Sequence, residues 1–163
     1  MIILKIIGWI IIAFAIERVF SGLLAYKRKH FSKMSIKESM DLTSLPVVTF
    51  MNDDKKINFL LDTGSDASLI DESVISMFTH IKSDNISSTF GMDGNIIDGG
   101  HCNMTINYKD YEFLVDFNIV NLEEPLKLIK ESSGVTIHGI LGSEFLKLHK
   151  YILDFDNLIV YKK

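Results

Sequence analysis

Asp62 ends the apolar run Phe59, Leu60 and Leu61 and is followed at once by Thr63, Gly64 and Ser65, in the stretch "FLLDTGSDASLI". A strand that reads as buried thus carries a charged side chain straight into a tight turn. Gly64 lets the backbone reverse beside the aspartate, and the Thr63 hydroxyl is short enough to lock the loop by hydrogen bonds. A carboxylate held in one place can take or give a proton. Asp-Thr-Gly alone also fits an Asx-turn that closes a strand. The apolar residues on both sides argue against an ordinary exposed turn.

Other residues offer chemistry with less support. In "IHGILGSEFLKLHKYILDF", an apolar-apolar-Gly step at Ile140, Leu141 and Gly142 precedes a helical pattern and a strand. In "TFGMDGNIID", Gly91, Asp93, Gly94 and Asn95 form a hairpin tip with Met92 beside them. His101 and Cys102 are metal-ligating types, yet no second pair stands at ligand spacing, so no metal is expected. His138 reads as a strand residue. Ser68 and Ser143 have no His and Asp constellation that periodicity places nearby, which argues against a serine hydrolase.

These residues need a scaffold, and the pattern from Pro46 onward supplies one. Short alternating or apolar runs separated by turn signals predict a mainly β domain over 46–163. "VVTFM" and "INFLL" flank one hairpin turn, "NMTINY" and "YEFLVDFNIV" a second, "YILDF" and "NLIVY" a third. "DESVISMF" and "SEFLKLH" have the spacing of short helices, each with an Asp or Ser at its start to cap free amides. With 163 residues, 47% of them apolar, the chain can bury a real core. Its net charge of -4 supplies no basic field for a phosphate backbone, so nucleic acid is not an expected partner. The single cysteine leaves the redox compartment open.

Residues 1–26, "MIILKIIGWIIIAFAIERVFSGLLAY", are apolar apart from Lys5, Glu17, Arg18 and a few small residues, and are about long enough to cross a bilayer. Glu17 and Arg18 are adjacent, opposite in sign and away from the midpoint, where a charge costs most. A single membrane-spanning helix over 1–26 is therefore expected. A docked amphipathic helix fits less well, because the isoleucines around Trp9 are apolar all round. A cleaved signal peptide is a third reading, from the small-x-small form of Ala13, Phe14 and Ala15. Lys27, Arg28, Lys29 and Lys33 follow the helix, which favours a cytoplasmic domain over an exported one. Residues 27–45 are polar and basic and read as a linker.

The Asp-Thr-Gly loop and the Ile140, Leu141, Gly142 step, in this order and spacing, resemble the retropepsin-like aspartic proteases, single-lobed and of the bacterial or cellular kind. The likeness runs from about Pro46 to Tyr161. It implies a closed, barrel-like β fold in which the Asp-Thr-Gly loop packs on the apolar-apolar-Gly strand in a psi-shaped crossing. It implies a catalytic Asp62, an active-site loop of Thr63, Gly64 and Ser65, and support from Ile140, Leu141 and Gly142. The hairpin carrying Gly91, Met92, Asp93, Gly94 and Asn95 would be the flap over the substrate, although a plain surface hairpin would look the same. Such enzymes use two carboxylates that share a proton, one as base and one as acid, because two so close cannot both ionise.

One Asp-Thr-Gly is present, and Asp154 and Asp156 lack the following Thr-Gly. The site is therefore expected to be shared across a homodimer, with one Asp62 from each copy, and the resemblance implies that each Thr63 reaches to the partner's loop. Ser65 stands where retroviral members have Ala, and its hydroxyl is placed to donate to the aspartate. Residues 121–136 form a longer connection than in compact retroviral enzymes, and the extended "YILDFDNLIVY" leaves open how two copies meet. Substrate-pocket walls are expected from Ile70, Met92, Ile96, Ile97 and Ile140. The function expected is a membrane-anchored aspartic endopeptidase acting on a protein or peptide without a cofactor. The alternative is a non-catalytic, membrane-tethered interaction or dimerisation module.

Overall fold

The computed structural model describes residues 14, 16–19, 34–90 and 96–162, and for 84–90 and 96–99 the backbone alone. The chain forms two compact units, Met1–Lys33 and Met34–Lys163. In the first, residues 14 and 16–19 are helical, with Phe14, Ile16 and Val19 exposed. The rest of the expected span over 1–26 lies outside the described residues. Among those described, no helix is long and apolar enough to cross a membrane.

The second unit contains β1 (Met34–Ser35), α1 (Lys37–Thr43), β2 (Val47–Asn52), β3 (Lys55–Leu61), β4 (Leu69–Asp71), β5 (Ile81–Phe90), β6 (Ile96–Tyr108) and β7 (Tyr111–Val120). It continues through α2 (Glu123–Ser133), β8 (Gly139–Leu141), α3 (Ser143–Leu148), β9 (Tyr151–Asp154) and β10 (Ile159–Lys162). Strands β2, β3, β8, β4, β7 and β6 follow one another in the main sheet, and a β2–β6 pairing at Met51 and Asn107 closes them into a six-stranded barrel. Strand β5 pairs with β6 outside that ring, and β1, β10 and β9 make a separate three-stranded sheet.

Alternation along the strands builds the core. Ile57, Phe59 and Leu61 of β3 point inward, as do Cys102, Met104 and Ile106 of β6 and Phe113, Val115 and Phe117 of β7. This period of two is what a strand with one buried face requires. Phe50 meets Phe59, Phe113 and Phe145 edge-on at ring separations of 6.2, 5.9 and 6.3 Å, and Phe59 stacks on Phe117 at 5.2 Å. Helix α3 thus joins the core through Phe145 and Leu146.

The three expected hairpins are β2–β3, β6–β7 and β9–β10. Asp53 and Lys109, in the first two turns, take φ of 52° and 54°, the left-handed backbone that tight hairpin turns need. Two expectations change, and a third element gains detail. Residues 34–45 belong to the folded unit rather than to a linker: Met34 and Ile36 are 3% and 1% exposed, and β1 pairs with β10. The Ser39 hydroxyl donates to Ile36 O at 2.9 Å and accepts from the Val47 N–H at 3.0 Å, which fastens α1 to the start of β2. Three inward apolar residues, Met34, Ile36 and Met40, are too few among polar ones to show as a period.

The second change is in "DESVISMF", which forms turns and a 3₁₀ segment, Ile75–Met77, instead of an α-helix. Ser73 donates to the Asp71 carboxylate, a local bond that competes with helix formation. Third, most of the 121–136 connection is helix α2, closed by Gly134 at φ 75°, whose N–H donates to Lys130 O at 2.8 Å. Pro125 fits because first-turn amides have no helical partner to lose.

Replacing Ile36 with alanine is expected to cost about 2–5 kcal/mol in urea unfolding of the full chain. A change below about 0.5 kcal/mol would return residues 34–45 to the status of a tether.

Candidate active site

Strand β8 lies between the strand that enters the Asp62 loop and the strand that leaves it. It runs parallel to β3, with Phe59 opposite Gly139 and Leu61 opposite Leu141, and antiparallel to β4, with Ile70 opposite Gly139. The loop from 62 to 68 must therefore pass over the end of β8, which is the expected psi-shaped crossing. Two glycines make the crossing possible. A Cβ on Gly139 would lie 2.3 Å from Leu69 O, and one on Gly142 would lie 2.5 Å from Ala67 O.

Three backbone donors then hold the loop. The Asp62 N–H donates to Leu141 O at 3.1 Å, the Gly142 N–H to the buried Ser68 hydroxyl at 3.1 Å, and the Ser143 N–H to Ser65 O at 2.8 Å. The last two are amides at the start of α3, which have no partner inside the helix. Loop groups satisfy them, and Ser143 itself makes no side-chain cap. Ile140, Leu141 and Gly142 accordingly sit under the loop, with Leu141 fully buried.

At the top of this support Asp62 is half-buried, and Thr63 and Gly64 are exposed. The Gly64 N–H donates to Asp62 Oδ1 at 2.8 Å, an Asx-type bond that fixes the plane of the carboxylate. Oδ2 of Asp62 and the Thr63 hydroxyl find no hydrogen-bond partner among the described residues. The expected Ser65 bond to the aspartate is replaced by another: its hydroxyl donates to Ala67 O at 2.7 Å, two residues on, and closes the turn. Loop and carboxylate form the floor of a hollow of about 320 Å³, otherwise lined by Leu45, Pro46, Leu60, Leu61, Leu153 and Phe155.

The expected walls are different residues. Ile70 is fully buried in the core and does not line this hollow. Met92 and the flap tip, Gly91, Asp93, Gly94 and Asn95, lie outside the described residues, as do the side chains of Ile96 and Ile97. Strands β5 and β6 are paired as far as Phe90 and Ile96 on either side of that tip. Leu45, Pro46, Leu153 and Phe155 escaped the sequence reading because they come from the junction of a presumed linker with the domain and from a distant hairpin. No local period marks residues that meet only through the fold.

The remaining polar candidates are structural. His101 and Cys102 point to opposite faces of β6, as neighbours on a strand must. His101 Nδ1 lies 3.5 Å from Asp116 Oδ1, whereas Cys102 is in the core, where burial pushes its thiol up to about 11. Among the described residues, no three His, Cys, Asp or Glu side chains gather as a metal site. His138 Nδ1 accepts the Asn58 N–H at 2.9 Å and its ring packs edge-on against Phe78. Burial holds its proton affinity below the ordinary value of 6.5, and the same holds for His149. Asp154 accepts from the Asn157 N–H and Nδ2 at 2.9 and 2.8 Å and so fixes the β9–β10 turn.

No protein-family model matches the chain, and no curated protein is significantly similar to it. Three examples stand among the solved structures similar to the chain. The EIAV protease complexed with the inhibitor HBY-793 is 19% identical with a TM-score of 0.48, over 63% of this chain and 86% of its own. A retropepsin-like aspartic protease from Rickettsia conorii is 16% identical with a TM-score of 0.43, over 71% and 80%. The retroviral protease-like domain of Ddi1 from Leishmania major is 12% identical with a TM-score of 0.42, over 73% and 92%. With identities this low and TM-scores below 0.5, none of them bears on the chemistry of the loop. The fold is retropepsin-like on its own topology: a closed six-stranded barrel with the Asp62 loop crossing over β8.

Gly142→Ala is expected to cost about 1–3 kcal/mol in denaturant unfolding, since either the loop or α3 must shift. An unchanged midpoint would show that the crossing is loose. Because the folded chain holds the proton affinity of His138 below 6.5, the unfolded chain binds more protons at mildly acidic pH. Stability contributed by a neutral His138 is complete above pH 6.5 and declines as pH falls towards its folded value. His138→Asn keeps an acceptor without a titrating ring, so its stability should vary less than wild type between about pH 7 and 5. Equal slopes would remove His138 from the account.

Proposed function

We propose that the chain is an aspartic endopeptidase in which Asp62 and the Asp62 of a second copy activate a water to hydrolyse a peptide bond. The observation that carries the reading is a half-buried carboxylate with one oxygen fixed by the Gly64 amide and the other unengaged among the described residues, at the floor of a largely apolar hollow. The loop is pinned from below at three points, so the carboxylate keeps its position without any bond of its own from Oδ2. That leaves Oδ2 for water, substrate or a second carboxylate.

Two carboxylates brought within about 3 Å cannot both ionise, so the pair supplies a base and an acid at one pH. The ionised member removes a proton from water as that water attacks the carbonyl carbon. The protonated member gives its proton to the carbonyl oxygen, and the member that took the water proton then passes it to the leaving nitrogen while the first takes its own proton back as the carbonyl re-forms. Thr63 is exposed beside Asp62, where its hydroxyl would meet the loop of the other copy. Gly91, Met92, Asp93, Gly94 and Asn95, at the tip of the β5–β6 hairpin, would cover the substrate. The apolar segment 1–26, followed by Lys27, Arg28, Lys29 and Lys33, supports a single-pass anchor with the domain on the cytoplasmic side. Confinement to a membrane plane would raise the effective concentration of the pair.

A mass-spectrometric cleavage profile of a diverse peptide library, from acid to neutral pH, tests this with the full chain beside Asp62→Asn. Wild type should cut at sites with apolar flanks, and the mutant should lose at least about 10²–10⁴-fold in rate. A folded, dimeric wild type with no cuts at any pH would favour the interaction module instead.

A further inference from the structure

Tyr108 and Tyr111 stand opposite each other across the β6–β7 turn, and Tyr151 opens β9 beside them. Burial, and then the phenols of Tyr108 and Tyr111, hold the Tyr151 hydroxyl above its ordinary value of 10, so the three rings share one corner of the domain. Tyr111 stacks on Phe113 and Tyr151 on Phe145, which ties two of them to the core. The Lys109 ammonium lies 5.2 Å from the centre of the Tyr108 ring, and the Lys162 ammonium 5.8 Å from that of Tyr111. Lys162 is also opposite Tyr151 in the β9–β10 pairing. Lys147 and Lys150 reach the same corner from the end of α3, on either side of Leu148 and His149, and the His149 ring packs on Phe113 at a separation of 4.8 Å. All four lysines are exposed, and so is Leu148, at 71%.

This combination suits a lipid surface. Tyrosine presents an apolar ring with a polar tip, and lysine an apolar stem with a charged head, the forms that settle where a bilayer meets water. Asp110 and Glu112, the acidic residues of the same hairpin, are outnumbered by the four lysines, although the whole chain carries a net charge of -4. A positive corner on a negative chain turns that corner towards an anionic surface. An acidic peptide would match the charge alone, whereas an anionic leaflet matches the charge and the exposed leucine together.

We propose that the domain docks on an anionic lipid surface through this corner, with the lysines at the headgroups and Leu148 among the upper acyl chains. Strand β9 runs from the corner to Leu153 in the wall of the hollow over Asp62, so a docked domain holds that hollow near the bilayer. The inference stands whether or not the chain cleaves peptides. Lysine acetylation by a water-soluble reagent, read residue by residue by mass spectrometry, tests it on the full chain in liposomes of phosphatidylcholine, with and without phosphatidylserine. Lys109, Lys147, Lys150 and Lys162 should react about fivefold more slowly on the anionic bilayer, the factor expected for one lysine held at such a surface. Lys82, exposed on β5 opposite Cys102, and Lys127, exposed on α2, should keep their rates. Lys147→Gln together with Lys150→Gln should reduce the protection of Lys109 and Lys162, and Leu148→Ser should reduce it at all four lysines. No slowing, or equal slowing of every lysine as the surface potential alone would produce, would overturn the docking. Equal protection in detergent without lipid would place a second copy on the corner instead. Protection that ignores Leu148→Ser and is reproduced by polyglutamate without lipid would assign the corner to an acidic protein.

Discussion

Everything around Asp62 depends on one steric constraint: a short strand, Gly139–Leu141, has to lie between β3 and β4 while the chain joining those two strands passes over its end. The crossing leaves no room for a side chain at Gly139 or Gly142, where a Cβ would fall 2.3 or 2.5 Å from a backbone oxygen. In return it aligns two sets of unpaired backbone groups. The free amides that begin α3 point at the loop, and the loop has an oxygen for each. Groups that would otherwise be buried without partners are satisfied by each other. The helix, the loop and the strand are thus fixed as one unit, and Phe145 of the helix ties that unit to the aromatic core.

That arrangement separates support from chemistry. The three bonds that join the loop to the β8–α3 step come from backbone N–H groups, and their acceptors are two carbonyls and one hydroxyl. The Asp62 carboxylate has no share in them, apart from the Asx-type bond that sets its plane. The position of the loop backbone therefore does not depend on the charge of Asp62. A carboxylate that held the loop together could not change protonation without loosening it, whereas this one can gain or lose a proton on a fixed base. Preorganisation of this kind is the condition for acid–base catalysis by a rigid site.

Much of this was legible in the chain, and for identifiable reasons. Strand alternation in "INFLL" and "YEFLVDF" is strong because each of these strands buries one face only. Hairpin turns at 53–54 and 109–110 carry polar residues that accept left-handed backbone. The apolar residues flanking Asp-Thr-Gly marked a loop built on the core. What stayed hidden depends on distant partners. Residues 34–43 look like a tether because their few apolar side chains find partners only through the fold, among them the C-terminal hairpin more than a hundred residues away. Ser65 looks like a donor to Asp62, yet a carbonyl two residues on competes for the same proton and wins. The hollow draws its walls from the start of β2 and from the end of β9, and no linear pattern joins them.

The direction of the Ser65 hydroxyl has a consequence for the shared-site reading. Within one copy, the Gly64 amide is the donor that engages the Asp62 carboxylate among the described residues. Whatever sets the sharing of a proton between two such carboxylates must then arrive with the second copy: its own carboxylate, its Thr63 hydroxyl, and the exclusion of water by apolar surface. An apolar rim matters here because it lowers the local dielectric, and charge interactions strengthen as water leaves. A single copy with a half-exposed carboxylate has neither the second oxygen pair nor the dry surroundings. On this reading folding builds a firm but inactive half, and assembly creates the acid–base pair, so activity is tied to the concentration of the chain and to anything that confines it.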